Sequence, residues 1–250
     1  MTLKDFKEMI NRTLFCAISN KDAFYSGVLV KKSEGKLVMV ATDNKVIGFA
    51  IKDVGDGFPD FDKVVVTPNI FKKIAKRKRD TNFFSISVSE GKIYFHIGSA
   101  IICTELQPSN FPRLSPNADD FLKRFPSPFS FAVERLQFFE ALGMVSAITD
   151  LQPLRVYFFL SNGLLSLQTF DGEDTAKVEV PCNYSGESIE FLLSSKYVTE
   201  IIEHIDSMRI TIRIDGNHKV AIIPEPEQDY YFLLAQMKRN TNTNKEEKQT

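Results

Sequence analysis

One pattern of strand, helix and hairpin occurs twice along the chain, and it limits the folds open to it. The first copy is residues 64–105, VVVTPNIFKKIAKRKRDTNFFSISVSEGKIYFHIGSAIICTE. Val64–Val66 is a short β-branched run; Thr67 suits an N-cap and Pro68 the first helical position. Ile70, Phe71 and Ile74 fall at helical spacing and mark one buried face. Lys72, Lys73, Lys76, Arg77, Lys78 and Arg79 crowd the other side of that helix, six cations in eight positions. Phe84, Ile86 and Val88 then alternate with polar residues, and a Glu90-Gly91 turn leads to Ile93, Phe95 and Ile97. The second copy is residues 190–235. Ser194 or Ser195 caps a helix whose apolar side is Tyr197, Val198, Ile201 and Ile205. Ile210, Ile212 and Ile214 alternate, an Asp215-Gly216 turn follows, and Tyr230–Leu234 is the last strand. The chain is two copies of one unit.

The segments before each copy extend the repeat. Leu3–Ser19 reads as an amphipathic helix with Phe6, Met9, Ile10, Leu14, Ala17 and Ile18 inward and Lys4, Lys7 and Arg12 off that stripe. Tyr25–Lys31, Leu37–Ala41 and Val46–Ile51 read as a meander. In the second unit, Phe129–Phe131 is a strand and Val133–Ile148 a helix. Val156–Leu160 and Leu164–Phe170 form a hairpin about Asn162-Gly163, and Ala176–Val180 is a further strand. The proline-rich stretch Gln107–Ser127 suits an extended joint, and residues 240–250 read as a disordered polar tail. The expected units are residues 1–112 and 128–239, with 113–127 between them. Each has two helices and seven or eight strands. Short turns make the sheets mostly antiparallel, and the fold class is α+β.

Composition excludes several classes. The formal net charge is −1, so a nucleic-acid signal has to come from local charge. Cys16, Cys103 and Cys182 are far apart and sit beside apolar residues, which suggests buried free thiols in a reducing compartment. No apolar run approaches the length of a membrane span and no signal-peptide core opens the chain, so a cytoplasmic protein is expected. His96, His204 and His218 have no metal-ligand partner at local spacing, so no metal and no cofactor is expected. Asp119-Asp120 and Glu173-Asp174 read as solvated loop acids. No phosphate loop and no nucleophile elbow is present, and no catalytic residue is assigned. The basic helix is the sharp local feature. It can neutralise several phosphates of a nucleic acid, and without interleaved aromatics it suits backbone contact and no reading of sequence.

The segments VATDNKVIGFA (40–50), VVVTPNIFKKIAK (64–76), NFP (110–112), YSGESIEFLLSSKYVTEII (184–202) and YYFLLAQMKR (230–239) together resemble the bacterial DNA polymerase III β subunit, the sliding clamp. The resemblance covers the middle and C-terminal domains of that three-domain family. It implies two tandem clamp domains, a ring with helices lining the hole, sliding on duplex DNA, and no enzymatic activity. It places Lys4, Lys7, Arg12, Phe24, Lys72, Lys73, Lys76, Arg77, Lys78 and Arg79 toward DNA. It implies a pocket between the units for peptides of a DNA polymerase, a clamp loader and other partners. By position, the pocket is Tyr25, Thr42, Asn44, Lys45, Val46, Ile47, Pro112, Tyr197, Leu233, Leu234, Gln236 and Met237. The chain departs from the family at Asn44-Lys45-Val46, usually G-H-R, and at Ala235-Gln236-Met237, usually M-P-M. It also carries Glu200, Glu203 and Asp206 on the second unit's second helix. Two assemblies stand open: a homo-oligomeric ring of three copies, or a fragment or interaction module that binds peptides without encircling DNA.

Overall fold

The computed structural model describes residues 1–17, 27–55, 58–78, 83–108, 111, 129–148, 155–171, 174–215, 219–226 and 228–238. The first unit holds α1 (Leu3–Thr13), β1 (Val28–Ser33), β2 (Lys36–Thr42), β3 (Val46–Asp53), β4 (Val64–Val66), α2 (Pro68–Ala75), β5 (Phe84–Ser89), β6 (Lys92–Ile97) and β7 (Ala100–Glu105). The second holds β8 (Phe129–Glu134), α3 (Arg135–Ser146), β9 (Arg155–Ser161), β10 (Leu164–Asp171), β11 (Asp174–Pro181) and β12 (Ile189–Ser194). It ends with α4 (Ser195–Glu203), β13 (Arg209–Ile214), β14 (Lys219–Glu225) and β15 (Tyr230–Ala235). The fold is α+β with antiparallel sheets throughout.

The repeat is visible in the sheets. The order β4-β1-β2-β3 in the first unit returns as β12-β9-β10-β11 in the second. The order β7-β6-β5 returns as β15-β14-β13, with β8 added beside β13. The units join through strand pairing: β3 lies antiparallel to β15, with Phe232 opposite Gly48 and Leu233 opposite Ile47. One eight-stranded sheet therefore crosses both units. Its inner face and the helices share the larger core, in which Phe6, Phe71 and Phe95 pack together on one side and Phe138, Phe158 and Phe191 on the other. Its outer face carries a second apolar cluster. Phe49 stacks on Tyr231 at 4.6 Å, and Phe111 from the start of the joint is buried in the same cluster as Val38, Val40, Val65, Ile223 and Leu233.

Several expected boundaries move. The first helix does not run to Ser19; it ends at Thr13 and closes with a 3₁₀ turn, Leu14–Cys16. The Thr13 hydroxyl donates to the Met9 carbonyl one turn back, a bond that bends and weakens a helix at that point. Ala17 is extended and half-buried but still packs against the core, and Ile18 lies outside the described residues. The second helix stops at Ala75: the Lys76 amide still reaches the Lys72 carbonyl four residues back, but the Arg77 amide bonds to the Ile74 carbonyl only three back, which tightens the last turn. Val133 sits in β8 and not in a helix, and β11 starts earlier than expected, at Asp174. Thr67 and Ser194 occupy N-cap positions without a side-chain capping bond. The joint at 113–127, the tail from 239 onward and His218 lie outside the described residues.

Candidate nucleic-acid interface and partner site

The cationic residues divide by how the helices hold them. Ile70, Phe71 and Ile74 bury one side of α2, which leaves Lys72 and Lys73 exposed on the other. Lys76, Arg77 and Lys78 follow the helix end, where cations are favoured by the carbonyl-rich terminus. Only two of the six clustered cations are thus on the helix proper, a correction to the expected six-residue helical face. Arg79 and Phe24 lie outside the described residues. On α1, Lys4 is exposed, and the Lys7 ammonium donates to the Arg77 carbonyl at 2.7 Å, which ties α1 to the end of α2.

Arg12 has a different role from the one expected. Its guanidinium donates to the His204 carbonyl and to the Asp206 carboxylate, and it lies 4.3 Å from the centre of the Tyr230 ring. The side chain is 11% exposed, so it bridges the units and is not presented to a phosphate. Asp206 lies beyond the end of α4 and is paired with Arg12, so it does not add to an acidic helix face as expected. Glu203 is exposed and Glu200 half-buried. Burial raises the Tyr230 phenol above its usual range, against the opposing pull of Arg12.

The expected partner-site residues gather at one end of the β3·β15 junction. Thr42, Asp43 and Asn44 form a tight turn. The Thr42 hydroxyl donates to the Val46 carbonyl at 2.8 Å, and Asp43 accepts from the Lys45 and Val46 amides at 2.9 Å each. Asn44 has φ 72°, a left-handed position that asparagine tolerates. The other oxygen of Asp43 accepts from the Tyr197 hydroxyl of α4 at 2.6 Å, and the Lys45 ammonium lies 5.9 Å from the Tyr197 ring centre. Burial first, and then this bond to a carboxylate, push the Tyr197 phenol well above its usual range. The Ala235 amide bonds to the Lys45 carbonyl and the Met237 amide to the Leu192 carbonyl, both at 2.8 Å. Thr42, Val46, Leu233 and Leu234 are buried, Val46 and Leu234 in the inner core and Leu233 with Ile47 in the outer cluster; Ile47, Tyr197, Gln236 and Met237 are half-buried; Asn44 and Lys45 are exposed. Tyr25 and Pro112 lie outside the described residues.

A groove of about 330 Å³ lies elsewhere on the same junction, between α1 and β3, and was not anticipated. Asp5, Glu8, Met9 and Arg12 line one wall, and Gln228, Asp229 and Tyr230 the other. Donors from Thr2 and Lys52 outweigh the effect of burial and hold the Asp5 carboxyl below its usual range. The histidines have structural partners: His96 with the Ser87 hydroxyl at 2.9 Å, and His204 with the Glu200 carbonyl at 2.8 Å and the Phe15 ring. Among the described residues no group of His, Cys, Asp and Glu could hold a metal, and no helix is long and apolar enough to cross a membrane. Cys16 is buried, and that burial raises its thiol well above the usual range. Cys103, expected inside, is exposed, because β7 is an edge strand.

Tandem units with helices on one side, a sheet running across their junction and clustered cations define a DNA-clamp class of fold. Residues 1–113 match the family model for the central domain of the DNA polymerase III beta subunit. The beta sliding clamp of Treponema pallidum is 25% identical over 241 residues, spanning 93% of this chain and 63% of the relative. That of Chlamydia muridarum is 24% identical over 237 residues, spanning 92% and 62%. The DNA polymerase III subunit beta of Pseudomonas aeruginosa superposes with a TM-score of 0.84 at 20% identity, covering 96% of this chain and 66% of that one. A Bartonella birtlesii sliding clamp solved with griselimycin bound gives 0.82, at 20% identity, over 96% and 65%. The chain thus resembles the bacterial beta sliding clamp and has its fold. It spans a little over three fifths of the length of the relatives it matches, 63% and 62%.

Proposed function

We propose that the chain is a DNA sliding clamp and polymerase processivity factor, with no catalytic step of its own. In this reading its units, residues 1–112 and 128–239 joined by 113–127, form part of a cytoplasmic ring around duplex DNA. The observation that carries it is the exposed cation set Lys72, Lys73 and Lys76 on a repeat whose sheet is continuous across both units. Cations that meet phosphates without base contacts bind every sequence alike and let a ring move along the duplex. Lys4, Lys7, Arg77 and Lys78 add to the same field. The junction end lined by Ile47, Tyr197, Gln236 and Met237 receives a short hydrophobic peptide of a polymerase or loader, with Asn44 and Lys45 at its rim. The test is the affinity for two duplexes of unrelated sequence across a salt series. The wild-type chain binds both alike. Lys72→Glu, Lys73→Glu and Lys76→Glu together weaken binding about tenfold or more at low salt and flatten the salt slope by roughly 0.9 per lost phosphate contact. Equal binding by the triple variant would remove these lysines from the interface.

A second reading is a peptide-binding module that does not encircle DNA. The acids on the second unit's helices favour it, with Glu140 and Glu203 both exposed. Under this reading a peptide binds with the same affinity before and after the lysine changes, and duplex binding is absent at every salt concentration.

A further inference from the structure

The two ends of the β3·β15 junction differ in charge. At the partner-site end Lys45, Lys196 and Lys238 are exposed, and Asp43 is taken up by two amides and the Tyr197 hydroxyl. The far end, where Ala50 pairs with Tyr230, holds the groove of about 330 Å³ between α1 and β3. Sheet register extends this end across the second unit. Glu134, Arg209 and Glu225 stand side by side on β8, β13 and β14, and Asp229 comes just before β15.

The cations of this groove and row are already bonded. Arg12 is held by Asp206 and the His204 carbonyl, and Lys52 by Asp5 at 3.4 Å. Arg135 donates to the Ser207 carbonyl at 2.8 Å, and Arg209 pairs with Glu225 at 3.7 Å. The carboxylates are not all matched in return. Glu8, Glu134, Glu203 and Asp229 are exposed, and among the described residues their side chains have no hydrogen bond or ion pair. Glu8 and Asp229 stand on opposite walls of the groove, with Met9, Ala50 and Ile51 also lining it.

Two apolar side chains continue the surface. Met208 is 80% exposed and Leu136 61%. The Arg135 amide donates to the Met208 carbonyl at 2.8 Å, so Met208 and Leu136 flank one bond at the start of α3. Met208 lies two residues beyond Asp206, which Arg12 ties to the groove wall. Exposed apolar groups beside unmatched carboxylates suit a guest that brings cations and apolar side chains together.

We propose that this end of the junction docks a short basic segment of a protein partner, with a lysine or arginine between Glu8 and Asp229 and an apolar side chain on Met208 and Leu136. The groove fits one long cationic side chain, its stem along Met9 and Ile51 and its charged head at the carboxylates. These acids repel phosphates, so the occupant is not the DNA backbone. The Lys45 end has the opposite sign and disfavours the same segment, so the two ends take different partners. The surface stands whether or not the chain encircles DNA.

The probe is a fluorescein-labelled octapeptide of alternating lysine and leucine, read by anisotropy at low salt. The wild-type chain binds it. Glu8→Gln with Asp229→Asn weakens binding about fivefold or more, and Met208→Ser about threefold, with melting temperatures unchanged. Glu140→Gln with Glu187→Gln removes two exposed acids elsewhere and leaves the affinity as it was. Lys45→Glu, at the other end of the junction, also leaves it unchanged. No binding at low salt would overturn the proposal. So would equal weakening by the two acid pairs, which marks a diffuse field, or a response to Lys45→Glu, which moves the peptide to the other end. Self-association of the unlabelled chain in light scattering that Glu8→Gln with Asp229→Asn abolishes would make a second copy the occupant and overturn the partner.

Discussion

The guanidinium of Arg12 makes three contacts with the other unit: the His204 carbonyl, the Asp206 carboxylate and the face of Tyr230. A lysine could not make the same forked set. Replacing Arg12 by Ala leaves the exposed Asp206 in water, so the loss is mainly of hydrogen bonding and ring contact. The expected cost is about 1–3 kcal/mol in urea unfolding, with Arg12→Lys recovering less than half. A change within about 0.3 kcal/mol would mean that the bridge is idle. Tyr197 gives a pH signature at the other end of the junction. Its folded phenol titrates above the unfolded value of about 10, so its contribution to stability is complete below pH 10 and is lost as pH rises further. Between pH 10 and 11 the wild type therefore loses more stability than Tyr197→Phe, read by denaturant midpoints at each pH. Parallel losses would show that the folded protein does not hold the Tyr197 phenol above its ordinary range.

At the scale of elements, α1 lies directly on β3 and the close approach depends on one glycine. A Cβ at Gly48 would stand 2.9 Å from the Arg12 carbonyl oxygen and 3.0 Å from the Cys16 sulfur. Both are held by the helix end and its 3₁₀ turn, so they cannot swing aside. Gly48→Ala is expected to cost about 1–3 kcal/mol and to disturb the Arg12 bridge, measured as a loss of melting temperature. An unchanged melt would show that α1 can lift freely. The same elements show what could be read in advance. Apolar spacing placed α1, α2 and α4 and the buried residues Phe6, Phe71 and Val198. The capping box of Thr2 and Asp5 was also legible as T-x-x-D, although it was not among the expectations. The helix ends were not legible. The end of α1 depends on a hydroxyl turning back to its own helix, and four consecutive cations after Ala75 give no sign that the turn has tightened. Arg12 was misassigned because its spacing puts it off the buried stripe of α1, and only a contact with a residue 194 positions away takes it out of solvent.

At the scale of the molecule, the two-fold repeat was legible because each unit carries its own turns and alternation. The joining of the units was not. Pairing of β3 with β15 brings together segments from opposite ends of the chain, and no local pattern records which edges meet. The expected peptide site came from resemblance, and the meeting of Val46 with Leu234 and of Ile47 with Leu233 is a product of that long-range pairing. The central claim is that the chain holds DNA by enclosing it. The most direct measurement is co-elution with a nicked circular duplex in gel filtration, at a salt concentration where phosphate contacts are largely screened, before and after one cut that linearises the circle. The account predicts that protein travels with the circle and leaves the linear form from its ends. Failure to travel with the circle, or retention unchanged by the cut, would contradict it.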